Sequence, residues 1–480
     1  MPAPTLQVSQ PHIPTPVAHP PEDRRPARAR GEPWVLAAVL FAAYTVVSVG
    51  RYRHMATLSW DLGIFEQVVR AYARLRAPVS DLKGPGFDIL GDHFSPVTAL
   101  LAPLYRLFPS PVTLLVAQAA LFALSAVPVT RAAARLLGRR RGLALGLAYG
   151  LSWGIQRAVD FDFHEICFAV PLIAFSLEAL LARRPRAALW WALPLVLVKE
   201  DLGLTLAAIA LVVAWRARGS SPQTVRYALG VAVFGVAATV LVLTLVVPSF
   251  NTSGGYDYWN KVSDAGSPFD GVGTKLRTLA WLLIPTSGLL ALRSPLLLVA
   301  LPTLGWRFLS GDEHYWGTDW HYSAVVMPVV FLALADALPA VRRSTRAWLG
   351  SYAAQLPAAV AAAALALTTS LPLAQLTEAG IYRKPDAVSG VERLLARIPD
   401  DATVEANIGP ISRLTSRCRV FWLGGTQGVT PEYIALENIG DKYRDPVGYA
   451  RQLHPLAEYA VAGEAGGYVV LQRRTATTGG

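Results

Sequence analysis

"HFSPVTALLAPLYRLF", His93 to Phe108, is the stretch whose reading decides how the chain is threaded. It is apolar enough to pass for a membrane helix, yet short of the roughly 20 residues that cross ~30 Å of hydrocarbon. Counted as a span, it carries the cluster Arg139, Arg140 and Arg141 to the outer face of a membrane. Read as a helix lying at the outer interface, it leaves that cluster inside. Lysine and arginine gather in short inner loops, so the second reading is the consistent one.

The rest of the chain fits a polytopic membrane protein. Of 480 residues, 53% are hydrophobic and only 16% charged, where a soluble domain carries about 25%. Apolar runs lie near 34–50, 111–134, 142–158, 166–182, 187–199, 201–215, 225–248, 275–292, 295–309, 322–339 and 347–371. These predict about 11 transmembrane helices. Arginines follow alternate runs: Arg131 to Arg141, then Arg183 to Arg186, Arg216 to Arg226, Arg293, and Arg342 to Arg346. All fall on one side if the N-terminus is cytoplasmic, and one missed helix would scramble the alternation. The net charge of +11 is therefore a topology signal, and no nucleic-acid partner is expected.

The fold class expected is an α-helical integral membrane protein with a small C-terminal extracytoplasmic α/β domain. Residues 1–33 are Pro-rich and read as a disordered cytoplasmic N-terminus. No small-residue cleavage site follows a short apolar core, so 34–50 reads as a retained helix. The transmembrane domain covers 34–371, with a long first outer loop at 51–110. Residues 372–480 differ in kind. "VERLLARI" has helical periodicity, "ATVEA", "CRVFWL", "EYIAL", "EYAVAG" and "GYVVLQR" read as strands, and the last two form a hairpin. Cys167 and Cys418 lie in different kinds of segment and form no disulfide framework.

This threading collects the polar motifs on the outer face. The first outer loop holds "SWDLGIFEQ", with Asp61 and Glu66, and "GDHFSP", with Asp92 and His93. "VDFDFHEI" supplies Asp160, Asp162, His164 and Glu165, and "VLVKEDLG" supplies Lys199, Glu200 and Asp201. "SGDEHYWGTDWHYS" adds His314 and His321. A charge at a helix centre costs ~2.5–3.5 kcal/mol, so the Lys-Glu-Asp run reads as an interfacial turn between two short helices, or as the lining of a wet cavity. Tyr315, Trp316, Trp320 and Tyr322 suit interfacial anchors and, less commonly, surfaces that stack on sugars.

"DFDFHE" has two readings. If its backbone is extended, Asp160, Asp162 and His164 share one side, and with Glu165 they offer ligands to a divalent cation such as Mg²⁺ or Mn²⁺. Alternatively, Asp160 or Asp162 caps the next helix and Glu165 sits in its first turn, where acids favour the dipole.

The motifs "WDLGIFEQ", "GDHFSPVTALLAPLY", "DFDFHE", "VKEDLGL" and "IPDDATVEANIGPISRLTSRCRVF" together resemble the DUF2079 bacterial membrane proteins, within the GT-C superfamily of glycosyltransferases. The resemblance runs from about Trp34 into the tail. It implies a plasma-membrane, cell-envelope enzyme that takes sugar from a polyprenyl-phosphate donor on the extracytoplasmic face. It implies Asp61 as catalytic base in an inverting-type attack. Many GT-C enzymes have two adjacent acids there, whereas Leu62 follows Asp61, so the match is partial. Glu66, Asp92, His93, Lys199, Glu200, Asp201 and His321 are the candidate substrate-binding residues. The other class considered is a transporter or flippase for a lipid-linked or anionic substrate. Against it, the ionisable residues crowd one interface rather than the midplane, and no inverted repeat is evident.

Overall fold

The computed structural model describes residues 27–474, apart from 58, 253, 260–266 and 268. The apolar runs are helical over most of their length. Five helices are long and apolar enough to cross a membrane alone: Gly31–Arg53, Pro111–Leu137, Pro222–Phe250, His321–Arg342 and Ala347–Thr368. Leu202–Ala217 and Pro295–Leu309 are shorter apolar helices. Other runs are interrupted. The run 142–158 divides into Arg139–Gly150 and Trp153–Phe161, because Ser152 takes an extended ψ of 142° at the head of the second helix. The run 187–199 tightens at Pro194 into a 3₁₀ turn, Leu193–Leu197.

Helix α1 spans Ala27–Arg53 and so begins ahead of the expected 34. The residues 27–33, read as disordered from sequence, are helical, and Glu32 pairs with Arg139 of the neighbouring helix. The remainder of that disordered stretch, 1–26, lies outside the described residues.

The stretch His93 to Phe108 is not a span. It forms a 3₁₀ helix, Pro96–Leu101, and a six-residue helix, Ala102–Leu107. At 1.5 Å per residue, the latter reaches only about 9 Å. Val97, Leu101 and Tyr105 face inward, while Leu100, Leu107 and Phe108 are exposed. Tyr105 donates to Glu66 on helix α2, Leu62–Ala73, at 2.9 Å, which ties the two halves of the loop together.

The tail carries a five-stranded sheet: β1 Thr403–Ala406, β2 Arg419–Trp422, β3 Tyr433–Glu437, β4 Tyr459–Ala465 and β5 Tyr468–Arg473. The order is β2-β1-β3-β5-β4, parallel among the first three and antiparallel from β3 onward. Helices Asp386–Leu395 and Ile408–Leu414 pack Leu394, Leu395 and Ile411 on one face, against Val404, Val420 and Val470. Ala450 of helix Pro446–Leu453 packs on the other, against Ile434, Leu436 and Leu471. Gly466 and Gly467, both at positive φ, make the hairpin turn between β4 and β5.

The tail docks on α2. A Cβ on Gly63 would lie 2.4 Å from Ile411 Cγ2, so only glycine allows this approach. Arg70 donates to the carbonyls of Cys418 at 2.7 Å and Thr415 at 3.1 Å. Gln67 donates to the Val420 carbonyl at 2.9 Å, and the Arg413 guanidinium sits 3.8 Å over the Tyr52 ring.

Candidate functional site

Asp61 precedes α2, and its position is set from a distant segment. Asp162 Oδ2 accepts the backbone N–H groups of Asp61 at 2.9 Å and Leu62 at 3.0 Å. A carboxylate at a helix N-terminus satisfies orphan donors and meets the positive end of the dipole. Asp162 is held in turn by Gln118, buried on helix Pro111–Leu137. Gln118 donates to the Asp162 carbonyl and accepts from His164 N–H at 3.0 Å.

Around Asp61 opens a cavity of about 340 Å³. One wall is a pair of stacked imidazoles, His164 and His321, with ring centroids 3.9 Å apart. His164 Nε2 lies 3.9 Å from Asp61 Oδ2, and its Nδ1 lies 2.8 Å from Glu165. Glu165 is fully buried and also pairs with Lys199 Nζ at 3.2 Å. Burial alone would raise the Glu165 carboxyl, but His164 and Lys199 hold it well below its usual range. The Asp61 carboxyl is raised, by burial first; His164 acts in the opposite direction.

The second wall is built on Glu200. It contacts His93 Nδ1 at 3.0 Å and accepts from Phe94 N–H at 3.2 Å and Tyr256 OH at 3.0 Å. The Tyr258 ring stacks on His93, and its hydroxyl meets His93 Nε2 at 3.0 Å. The third wall carries Trp306, Tyr315, His321 and Tyr322. Arg307, fully buried, braces that loop by donating to the carbonyls of Tyr315 at 2.8 Å and Gly317 at 2.9 Å and to Ser323 Oγ at 3.1 Å.

The cavity thus gathers Asp61, His93, His164, Lys199, Glu200, Asp201 and His321 from five separate motifs. Five expected residues do not line it. Glu66 is buried between Tyr105 and Thr415 at the tail contact. Asp92 pairs with Lys83 at 3.0 Å. Asp160 lies in the last turn of helix Trp153–Phe161, where it pairs with Arg51 at 3.1 Å. That turn is helical rather than extended, so Asp160, Asp162 and His164 do not share a side. Asp162 acts as the cap of α2, and Glu165 stands behind His164 and Lys199.

The expected metal set changes accordingly. Among the described residues, Asp61, His164 and His321 offer ligand atoms within 4.8 Å of one another. Only His164 belongs to the set read from sequence. Gln118, Tyr256, Tyr258, Trp306 and Arg307 were not legible as site residues. Arg307 carried the clearest signal, a charge within an apolar helix.

Two crystal structures share this fold. ArnT from Cupriavidus metallidurans bound to undecaprenyl phosphate aligns over 94% of this chain and 99% of that chain, with a TM-score of 0.59 and 15% identity. The apo state of the same protein aligns over 93% and 98%, with a TM-score of 0.55 and 14% identity. No curated protein matches the chain by sequence. The model of the predicted membrane protein family DUF2079 matches residues 51–446, and the chain belongs to that family.

Proposed function

We propose that the protein is a membrane glycosyltransferase that moves a sugar from a polyprenyl-phosphate donor to a cell-envelope acceptor. The observation that carries this reading is the cavity itself: the partly exposed Asp61 carboxylate faces the imidazoles of His164 and His321, with Lys199 lining the same space. The shared fold with ArnT, seen bound to undecaprenyl phosphate, supports the lipid partner. So does an apolar groove of about 880 Å³ between helices Leu202–Ala217 and Pro222–Leu241, lined by Leu211, Val233, Val236 and Val240. Leu243, just past that second helix, leads from the groove to the polar cavity. A prenyl chain in the groove would present its phosphate at the cavity mouth.

In this reading Asp61 accepts the proton of an acceptor hydroxyl while the oxygen attacks the anomeric carbon from the face opposite the phosphate. The bond from that carbon to the phosphate oxygen breaks, and the phosphate leaves with the electron pair. A raised carboxyl pKa makes Asp61 a stronger base once ionised, and such a base contributes about 10²–10⁴-fold. Lys199 is the cation for the leaving phosphate, and Glu165 fixes its position. Asp61, His164 and His321 are the residues that would hold a divalent cation; both His321 ring nitrogens are buried without a partner among the described residues. Two imidazoles and one carboxylate suit Mn²⁺ or Zn²⁺ better than Mg²⁺. An ion held there would sit on the Asp61 side and would supply positive charge that polarises the acceptor hydroxyl.

The site and the tail, 372–480, belong in this proposal on the extracytoplasmic side, with the N-terminus cytoplasmic and Arg139 to Arg141 inside. Purified protein in detergent, given labelled undecaprenyl-phosphate sugars and an envelope fraction, tests the activity. Detergent leaves no compartments to transport between. Loss of label from the lipid to the acceptor is expected; an intact donor after every sugar and acceptor fraction would rule the transferase out.

A further inference from the structure

The cavity carries two chemically different sets of groups. Lys199, His93 and His164 give it cationic and imidazole character that suits a phosphate. Beside these, three polar atoms from three elements are buried with no partner among the described residues: Asp201 Oδ1, Thr239 Oγ1 and Trp306 Nε1. All three residues line the cavity. Asp201 heads helix Leu202–Ala217, Thr239 lies on Pro222–Leu241, and Trp306 lies on Leu301–Leu309. The first two are neighbours in space: a Cβ on Gly203, two residues after Asp201, would lie 2.4 Å from Thr239 Oγ1. Asp201 and Trp306 meet again at a narrow cleft beside Lys199 and His321.

Buried polar groups are nearly always paired, so three orphans on residues that line one cavity mark a place where a ligand completes the bonding. Their chemistry limits what that ligand is. Asp201 Oδ1 can only accept when ionised, the indole Nε1 can only donate, and the Thr239 hydroxyl can do both. A phosphate offers no donor to Asp201 and is repelled by it. Neighbouring sugar hydroxyls each donate and accept, and they match all three.

We infer that Asp201, Thr239 and Trp306 form the subsite that recognises the hydroxyls of the donor sugar and sets sugar specificity. The inference rests on the proposed transferase reading and names the part of the site that reads the sugar. A site built to bond a substrate hydroxyl discriminates strongly against an analogue that lacks it, because its own polar groups are then left unpaired.

Binding separates this inference from the broader reading. The full chain in detergent is titrated with undecaprenyl phosphate and with the same lipid carrying glucose, mannose, galactose or arabinose. The wild type is expected to bind at least one sugar-bearing lipid about tenfold tighter than the bare lipid. Trp306→Phe keeps the ring and removes the donor, and Thr239→Val keeps the shape and removes the hydroxyl. Each is expected to lower that preference by roughly three- to tenfold, the loss of one neutral hydrogen bond, with bare-lipid binding unchanged. Unchanged bare-lipid binding also reports that the variants are folded. The inference is overturned if no sugar-bearing lipid binds tighter than the bare one, or if the variants keep the preference or lose both lipids alike. Failure of the wild type to bind bare undecaprenyl phosphate would remove the transferase reading and this inference with it.

Discussion

Glu66 is buried where the first loop meets the tail, and burial raises its pKa from 4.5 to about 7, although Thr415 and Tyr105 donate to it. A carboxyl raised on folding binds its proton more tightly in the folded state. Its stabilising contribution is complete below about pH 4.5 and is lost as pH rises through about 7. Thermal unfolding followed across that window should therefore show stability falling with rising pH, and Glu66→Gln should flatten the slope. Asp162 acts through geometry instead. It caps α2 and places the Asp61 backbone, so Asp162→Asn, which keeps an acceptor oxygen, should retain most activity. Asp162→Ala should lose about 10²-fold, as a misplaced base does. Equal activity in the two variants would contradict the positioning role.

The loop from Ser310 to His321 is braced by a side chain from the helix before it, beside the bonds from Thr278 to the Trp316 carbonyl and from Trp316 to the Ser310 carbonyl. Arg307 is fully buried and supplies the hydrogen bonds that the carbonyls of Tyr315 and Gly317 need. Each bond to a charged group is worth roughly 1.5–3 kcal/mol, so Arg307→Leu should lower the melting temperature and free the loop to proteolysis near Tyr315. A protected loop in that variant would show that other contacts hold it. The elements themselves were largely legible. Hydropathy found the helical runs, and alternation found the strands, because both patterns are local. The break at Ser152 and the helical turn holding Asp160 were not, since a greasy sequence gives no sign of which carbonyl its backbone leaves. The helical turn is what separated Asp160 from His164 and changed the candidate metal set.

At the scale of the molecule, what was legible was convergence: the arginine alternation brought Asp61, His93, His164, Lys199 and His321 toward one end. What was hidden was the partnership of segments more than a hundred residues apart, such as Asp162 with Asp61 and Tyr258 with His93. Those contacts depend on helix packing, which no local pattern encodes. The orientation has its own check. Cys167 and Cys418 are buried, so single cysteines introduced as Leu456→Cys and Arg140→Cys can be read with a membrane-impermeant maleimide. Position 456 should label in intact cells and position 140 only after permeabilisation; labelling of both from outside would break the threading. The central claim is tested most directly by transfer of labelled sugar from undecaprenyl phosphate by wild type, Asp61→Asn and Asp61→Glu. The account predicts turnover by the wild type and a loss of at least about 10²-fold in Asp61→Asn, with undecaprenyl-phosphate binding retained. Wild-type turnover that survives intact in Asp61→Asn would contradict it.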